Sequence, residues 1–192
     1  MSFLKKLSLW TIYLGAALSL ITPLLVDSSF FFPFITAKAF FFRIVVEVML
    51  LAFLVLLATD EKYRPRFTPQ TGLLAAFIAV AALSSYLSGN FYVSFWGDME
   101  RSEGLILWLH LFVYFVILVS SIETAAAWKN LLRASLGIGL LVALFGVGQS
   151  LRLEFLLATS GSRVDATFGN PSFLAGYLLF QIAFALYLFF QT

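Results

Sequence analysis

Cysteine is absent from this chain, and histidine occurs once, at His110. The first absence excludes disulfide staples, thiol nucleophiles and thiolate metal sites. The second excludes histidine-rich metal centres and leaves little for haem ligation. Charge is also scarce: Asp, Glu, Lys and Arg make up 11% of the residues, against about 25% in soluble domains. No Walker loop, dinucleotide fingerprint, His-Glu-x-x-His or Gly-x-Ser-x-Gly is present. No period of 20–50 residues marks a repeat array, and no linker divides the chain, so residues 1–192 read as a single domain. What remains is apolar: 61% of the residues are hydrophobic, 23 are phenylalanine, and the mean hydropathy is +0.98. This is the composition of an all-α, polytopic membrane protein.

Six apolar runs are expected to cross the bilayer, at approximately 7–26, 39–59, 72–88, 105–121, 134–151 and 171–190. Runs of about 20 residues match about 30 Å of hydrocarbon. The first is read as a retained helix, because it is long and no small-x-small cleavage site follows Asp27. Basic residues set the orientation. Lys5 and Lys6, three in the 60–71 loop and two in the 122–133 loop lie on one side, against Lys38, Arg101, Arg152 and Arg163 on the other. The richer side is expected to be cytoplasmic, with both termini there. The chain stops at Gln191-Thr192, directly after the sixth run and without a basic anchor, and we expect it to be incomplete.

Within the spans, Arg43 and Glu47 share a helix face at a spacing of four. Two readings stand for them: a pair that snorkels near the outer end of its span, or charges facing an internal cavity. His110 reads as a neutral packing residue, with a proton relay as the alternative. The informative polar residues lie in two loops on the outer side. One is Trp96-Gly97-Asp98-Met99-Glu100-Arg101-Ser102-Glu103-Gly104, and the other runs from Arg163 to Asn170. Each carries an arginine beside glycine and carboxylates. Arginine suits phosphate because its planar fork donates two parallel hydrogen bonds. Asn170 before Pro171 is an N-cap and N1 pair, and a helix start of this kind favours anions. Arg101 and Arg163 meeting above that start would hold a diphosphate, with Asp98, Glu103, Glu100 and Asp165 orienting them or one of them accepting a proton. The plain alternative is a set of solvated loop charges paired with one another.

The two loops resemble the bacterial O-antigen ligase and O-antigen polymerase superfamily. Its Ser-x-x-x-Trp/Tyr-Gly-x-x-x-Arg-x-x-Gly pattern corresponds to Ser94-Phe95-Trp96-Gly97-Asp98-Met99-Glu100-Arg101-Ser102-Glu103-Gly104. Its Arg-x-x-Gly/Ala-Thr-Phe-Gly-Asn-Pro-Asn-x-Leu-Ala pattern corresponds to Arg163-Val164-Asp165-Ala166-Thr167-Phe168-Gly169-Asn170-Pro171-Ser172-Phe173-Leu174-Ala175, with Ser172 where asparagine is usual. The likeness covers roughly residues 70–190 and corresponds to the N-terminal half of such a protein. It implies a multi-pass glycosyltransferase of the bacterial inner membrane, with no cofactor and no metal. The enzyme takes a glycan from an undecaprenyl diphosphate carrier and transfers it to lipid A core, a growing chain or a protein. It implies that Arg101, Arg163 and Asn170 hold the carrier diphosphate, supported by Asp98, Glu103, Gly169 and Arg43. It assigns the catalytic histidine to a C-terminal loop beyond residue 192, so no catalytic residue is expected in this chain, which alone should be inactive. The readings from other classes are a transporter or flippase for lipid-linked glycan, and a non-catalytic membrane scaffold. Nucleic acid is not an expected partner.

Overall fold

The computed structural model describes residues 3–65, 67–98, 101, 103–152 and 163–191. Among these there is no strand. The helices are α1 (Phe3–Ser19), α2 (Thr36–Thr59), α3 (Pro69–Leu87), α4 (Phe91–Trp96), α5 (Leu105–Ser121), α6 (Ala125–Ser150) and α7 (Pro171–Phe189). Five helical segments are long and apolar enough to cross a membrane: Phe3–Leu24, Thr36–Thr59, Pro69–Leu87, Ala125–Ser150 and Pro171–Phe189. This is the build of a multi-pass membrane protein. The fourth expected span, α5, is apolar but shorter, at 17 residues, or about 25 Å.

Local chemistry sets where the helices start and stop. The first run was expected to reach residue 26, but α1 ends at Ser19 and gives way to a 3₁₀ turn, Thr22–Leu24. Pro23 within that turn cannot extend an α-helical ladder. Thr68 accepts a hydrogen bond from Thr71 N at 3.2 Å and Pro69 opens α3. Thr124 accepts one from Ala127 N at 3.1 Å and starts α6. Lys129 and Arg133, expected in a loop, therefore lie on the first turns of α6. A helix need not be apolar where it leaves the hydrocarbon, so hydropathy reports the buried part and the cap reports the start. The loop expected over 89–104 contains α4, whose cap Asn90 accepts from Val93 N at 3.3 Å. It exposes Phe91, Tyr92, Val93 and Trp96, a composition typical of the membrane–water interface.

Packing is sequential. α1 packs on α2, α2 on α5, and α5 on α3 with α4 against both. On the other side of α1 stand α6 and then α7. The main core is Ile12 and Ala16 of α1, Val45, Met49, Phe53 and Leu56 of α2, and Ile117 and Leu118 of α5. Gly15 sets the approach of α1 to α2, since a Cβ there would lie 2.6 Å from Met49 Sδ. Small residues at helix interfaces matter in lipid, where contact and hydrogen bonding replace the hydrophobic drive. Between α6 and α7, Gln181 and Ser135 exchange hydrogen bonds at 3.2 and 3.3 Å in a slot left open by Gly139.

The two ends of the bundle differ. At one end Lys5 pairs with Asp60, and Lys62 with Glu123 at 2.6 Å. At the other end the turn at 22–24, the aromatic turn at 27–35, the strip around Arg101 and the 163–170 loop come together. Both sequence patterns of interest lie at this second end.

Candidate functional site at the motif-bearing end

The aromatic turn is closed by Asp27, whose side chain accepts from Ser29 N at 2.9 Å and from Ser29 Oγ at 2.7 Å. Those two donors hold the Asp27 carboxyl below the usual carboxylate range, the hydroxyl contributing most. Asp27 N–H donates to Pro33 O at 3.1 Å, which folds Phe30 to Phe34 back on themselves. The Arg101 strip is shaped by two glycines. Gly97 has φ +82°, and a Cβ on Gly104 would stand 2.5 Å from Phe95 O. Only hydrogen fits at either position, so the chain between them is drawn into a tight loop. Both are glycines of the first sequence pattern.

The 163–170 loop is clamped from α6. Gln149 accepts from Ala166 N at 2.8 Å and donates to Asp165 Oδ1 at 3.1 Å. Asp165 is almost fully buried, as is Ala166, which holds φ +46°. Gly169 has φ +66°, and a Cβ there would press within 2.6 Å of the Phe34 ring. The glycine is required twice, by its backbone and by the ring laid on it. Asn170 caps α7 through Ser172 N at 2.8 Å. Lys38, in the first turn of α2, ties the pieces together: its Nζ donates to Phe34 O at 2.8 Å and to Thr167 O at 2.6 Å. It also lies 5.7 Å from the Phe168 ring centroid.

These parts enclose a cavity of about 290 Å³ lined by Phe32, Phe34, Arg101, Glu103, Gly169 and Asn170 among others. The guanidinium of Arg101 lies over the Phe32 ring at 4.5 Å. Its Nε is buried with no hydrogen-bond partner among the described residues. A second cavity of about 330 Å³ adjoins it, sharing Phe34, Ile35, Glu103, Phe168 and Phe173. That one continues along Ala39, Phe42 and Leu107 and is mostly apolar. A polar chamber holding a guanidinium therefore opens beside a greasy one.

Arg101, Glu103, Gly169 and Asn170 are thus brought together. Arg163 and Asp98 are exposed and line neither cavity. Asp165 is held by Gln149 inside the loop rather than beside Arg101. Glu100 and Glu154 lie outside the described residues. The α7 start offers less to an anion than its sequence implies. Pro171 has no N–H, Ser172 N is taken by Asn170, and Leu174 N already bonds Asn170 O at 3.1 Å. Of the first-turn donors only Phe173 N–H is left. Lys38 is the residue that sequence reasoning passed over: it registers there only as one positive charge outside a span.

Arg43 stands apart from the cavity. It is buried in α2, one turn from Glu47. Glu47 sits in mid-helix rather than near the outer end, and its Oε1 is 3.3 Å from His110 Nε2. Among the described residues no group of three or more His, Asp and Glu is placed to hold a metal ion. No protein-family model matches the chain, and neither a curated protein nor a solved structure matches it.

Proposed function

We propose that the chain is the donor-binding part of a membrane glycosyltransferase of the O-antigen ligase type. In this reading six helices, α5 included, cross the bacterial inner membrane. The richer Lys and Arg side, with both termini, is cytoplasmic. Both sequence patterns then lie on the outer face, where lipid-linked glycan is presented. The observation that carries the reading is that two patterns some sixty residues apart line one cavity, Arg101 from the first, and Gly169 and Asn170 from the second. The buried, unpartnered Nε of Arg101 calls for an acceptor, and a phosphate oxygen supplies one.

The chemistry follows from the amphiphilic shape. The diphosphate of an undecaprenyl carrier would occupy the Arg101 chamber, and its first isoprene units the apolar neighbour. Attack by an acceptor hydroxyl on the anomeric carbon breaks the bond to the diphosphate. Negative charge then grows on the leaving oxygen, where a fixed guanidinium stabilises it. Glu103, shared by both cavities, would orient Arg101 or the sugar. The base that takes the hydroxyl proton is not assigned to this chain. The test is glycan transfer in membranes of the native host, with surface glycan read on a gel at matched expression. Arg101→Ala should abolish transfer while the protein still inserts; transfer at the wild-type level would sink the reading.

A transporter for lipid-linked glycan is the second reading, and one observation favours it. Glu47 and His110 form an ionisable contact in mid-helix, and transporters place such groups near the bilayer midplane. Vesicles carrying the protein should then flip a fluorescent lipid diphosphate between leaflets, whereas a transferase leaves it where it was added.

A further inference from the structure

We infer that Glu47 and His110 together hold one proton inside the bilayer, carried on a Glu47 carboxyl that faces outward from the helices. The inference is independent of the glycosyltransferase reading. Position comes first. Glu47 is the twelfth residue of the 24-residue helix α2, about 17 Å from either end at 1.5 Å per residue. That is too deep for a short glutamate side chain to reach either interface. Phe40, Ile44, Val48, Leu51 and Val55 are exposed on α2 at helical spacing around it, so the carboxyl stands in an apolar stripe. Its side chain is 64% exposed while that of His110 is 13% exposed.

Hydrogen bonding fixes the proton count. His110 Nδ1 lies 2.7 Å from Ile106 O. A carbonyl only accepts, so Nδ1 carries a hydrogen. Nε2 then faces Glu47 Oε1 at 3.3 Å. With no proton between them, a lone pair would meet a carboxylate in an apolar medium. With one proton the contact becomes a hydrogen bond, either from carboxylic acid to neutral imidazole or from imidazolium to carboxylate. The outward exposure of Glu47 decides between these, because charge in hydrocarbon costs far more than a neutral, hydrogen-bonded acid.

Other ionisable groups near the pair are few or engaged elsewhere. On α2 itself, Arg43 is one turn away and buried, and Lys38 bonds Phe34 O and Thr167 O. On α1, Lys5 pairs with Asp60 at the far end, Lys6 is exposed there too, and Tyr13 is partly exposed. Tyr114 on α5 bonds Ser19 Oγ at 2.6 Å. Tyr86 on α3 and Tyr92 on α4 are exposed.

A protonated carboxyl open to lipid is a target for a hydrophobic carbodiimide. The acid O–H adds across the N=C=N group to give an O-acylisourea, which rearranges to a stable N-acylurea with no other reactant. The experiment treats membranes containing the full chain with dicyclohexylcarbodiimide at pH 7.5 and maps adducts by peptide mass spectrometry. A water-soluble carbodiimide runs in parallel, and Glu47→Gln and His110→Phe serve as variants. The expected result is an adduct on Glu47 with the hydrophobic reagent, little with the soluble one, and none at that site in Glu47→Gln. In His110→Phe the adduct should persist, because the proton stays on the acid when its acceptor is removed. An unlabelled Glu47 in the wild type overturns the inference whether or not His110→Phe is labelled. Equal labelling of wild-type Glu47 by the water-soluble reagent overturns it too, since the carboxyl would then face water.

Discussion

At the scale of single residues, the cavity depends on a few positions where no substitute fits. Gly169→Ala meets two obstacles, a left-handed backbone at φ +66° and the Phe34 ring. Left-handed backbone alone costs about 1–2 kcal/mol for a residue with a Cβ, and the ring contact adds to it. The variant should melt clearly below wild type in detergent micelles; an equal melting temperature would mean that Phe34 is not seated there. Lys38→Met removes the donor to two carbonyls and should cost about 1–3 kcal/mol, again read by thermal melting. Asp60 gives a pH dependence. The Lys5 side chain first, and the Lys62 N–H second, hold its carboxyl below the usual range. A depressed folded value means that the stabilisation is present above the unfolded value of about 3.9 and is lost as pH falls through the folded one. The melting gap between wild type and Asp60→Asn should therefore hold from pH 7 to 5 and shrink below about pH 4. A gap unchanged at pH 3 would show that Asp60 is not held by the Lys5 ammonium. Of these residues, Gly169 and Asn170 were legible in the sequence, because the Gly-Asn-Pro order encodes a turn and a cap. Lys38 was not, because nothing in the local pattern tells that its two acceptors lie at 34 and 167.

At the scale of helices, boundaries were legible where a cap announces them. Thr68-Pro69 and Asn170-Pro171 open α3 and α7 close to the expected starts. α4 was missed because six residues are too few to show a period, although Asn90 is a proper cap for it. The early start of α6 was missed because its first turns are polar and hydropathy registers only what lipid covers. The α6–α7 contact carries its own prediction. Gly139→Val would force a branched side chain into Gln181 and disturb its exchange with Ser135. Hydrogen bonds between membrane helices are worth about 0.6 kcal/mol on average and reach about 1.7, so the larger loss comes from the separated helices. Tryptic cleavage of the 151–170 connection should speed up in Gly139→Val; an unchanged rate would mean that the slot between the helices has room to spare.

At the scale of the whole molecule, composition alone announced a membrane-embedded helical chain, and the apolar segments bear that out. The convergence of two distant loops was not legible in the same way. Their spacing in sequence says nothing of the aromatic turn at 27–35 that forms the third wall, nor that Arg163 lies outside the cavity while Arg101 lines it. Those facts depend on α1 handing the chain to α2 beside the start of α7. The central claim is that this end of the bundle binds a lipid diphosphate through Arg101. The most direct measurement is binding of undecaprenyl diphosphate to the purified protein in nanodiscs, for wild type, Arg101→Ala and Arg163→Ala, with unphosphorylated undecaprenol as control. Losing a charge-assisted hydrogen bond of about 1.5–3 kcal/mol weakens binding by about tenfold or more. The account predicts that loss for Arg101→Ala, near wild-type affinity for Arg163→Ala and weak binding of the alcohol. Equal binding by wild type and Arg101→Ala, or no preference for the diphosphate, would contradict it.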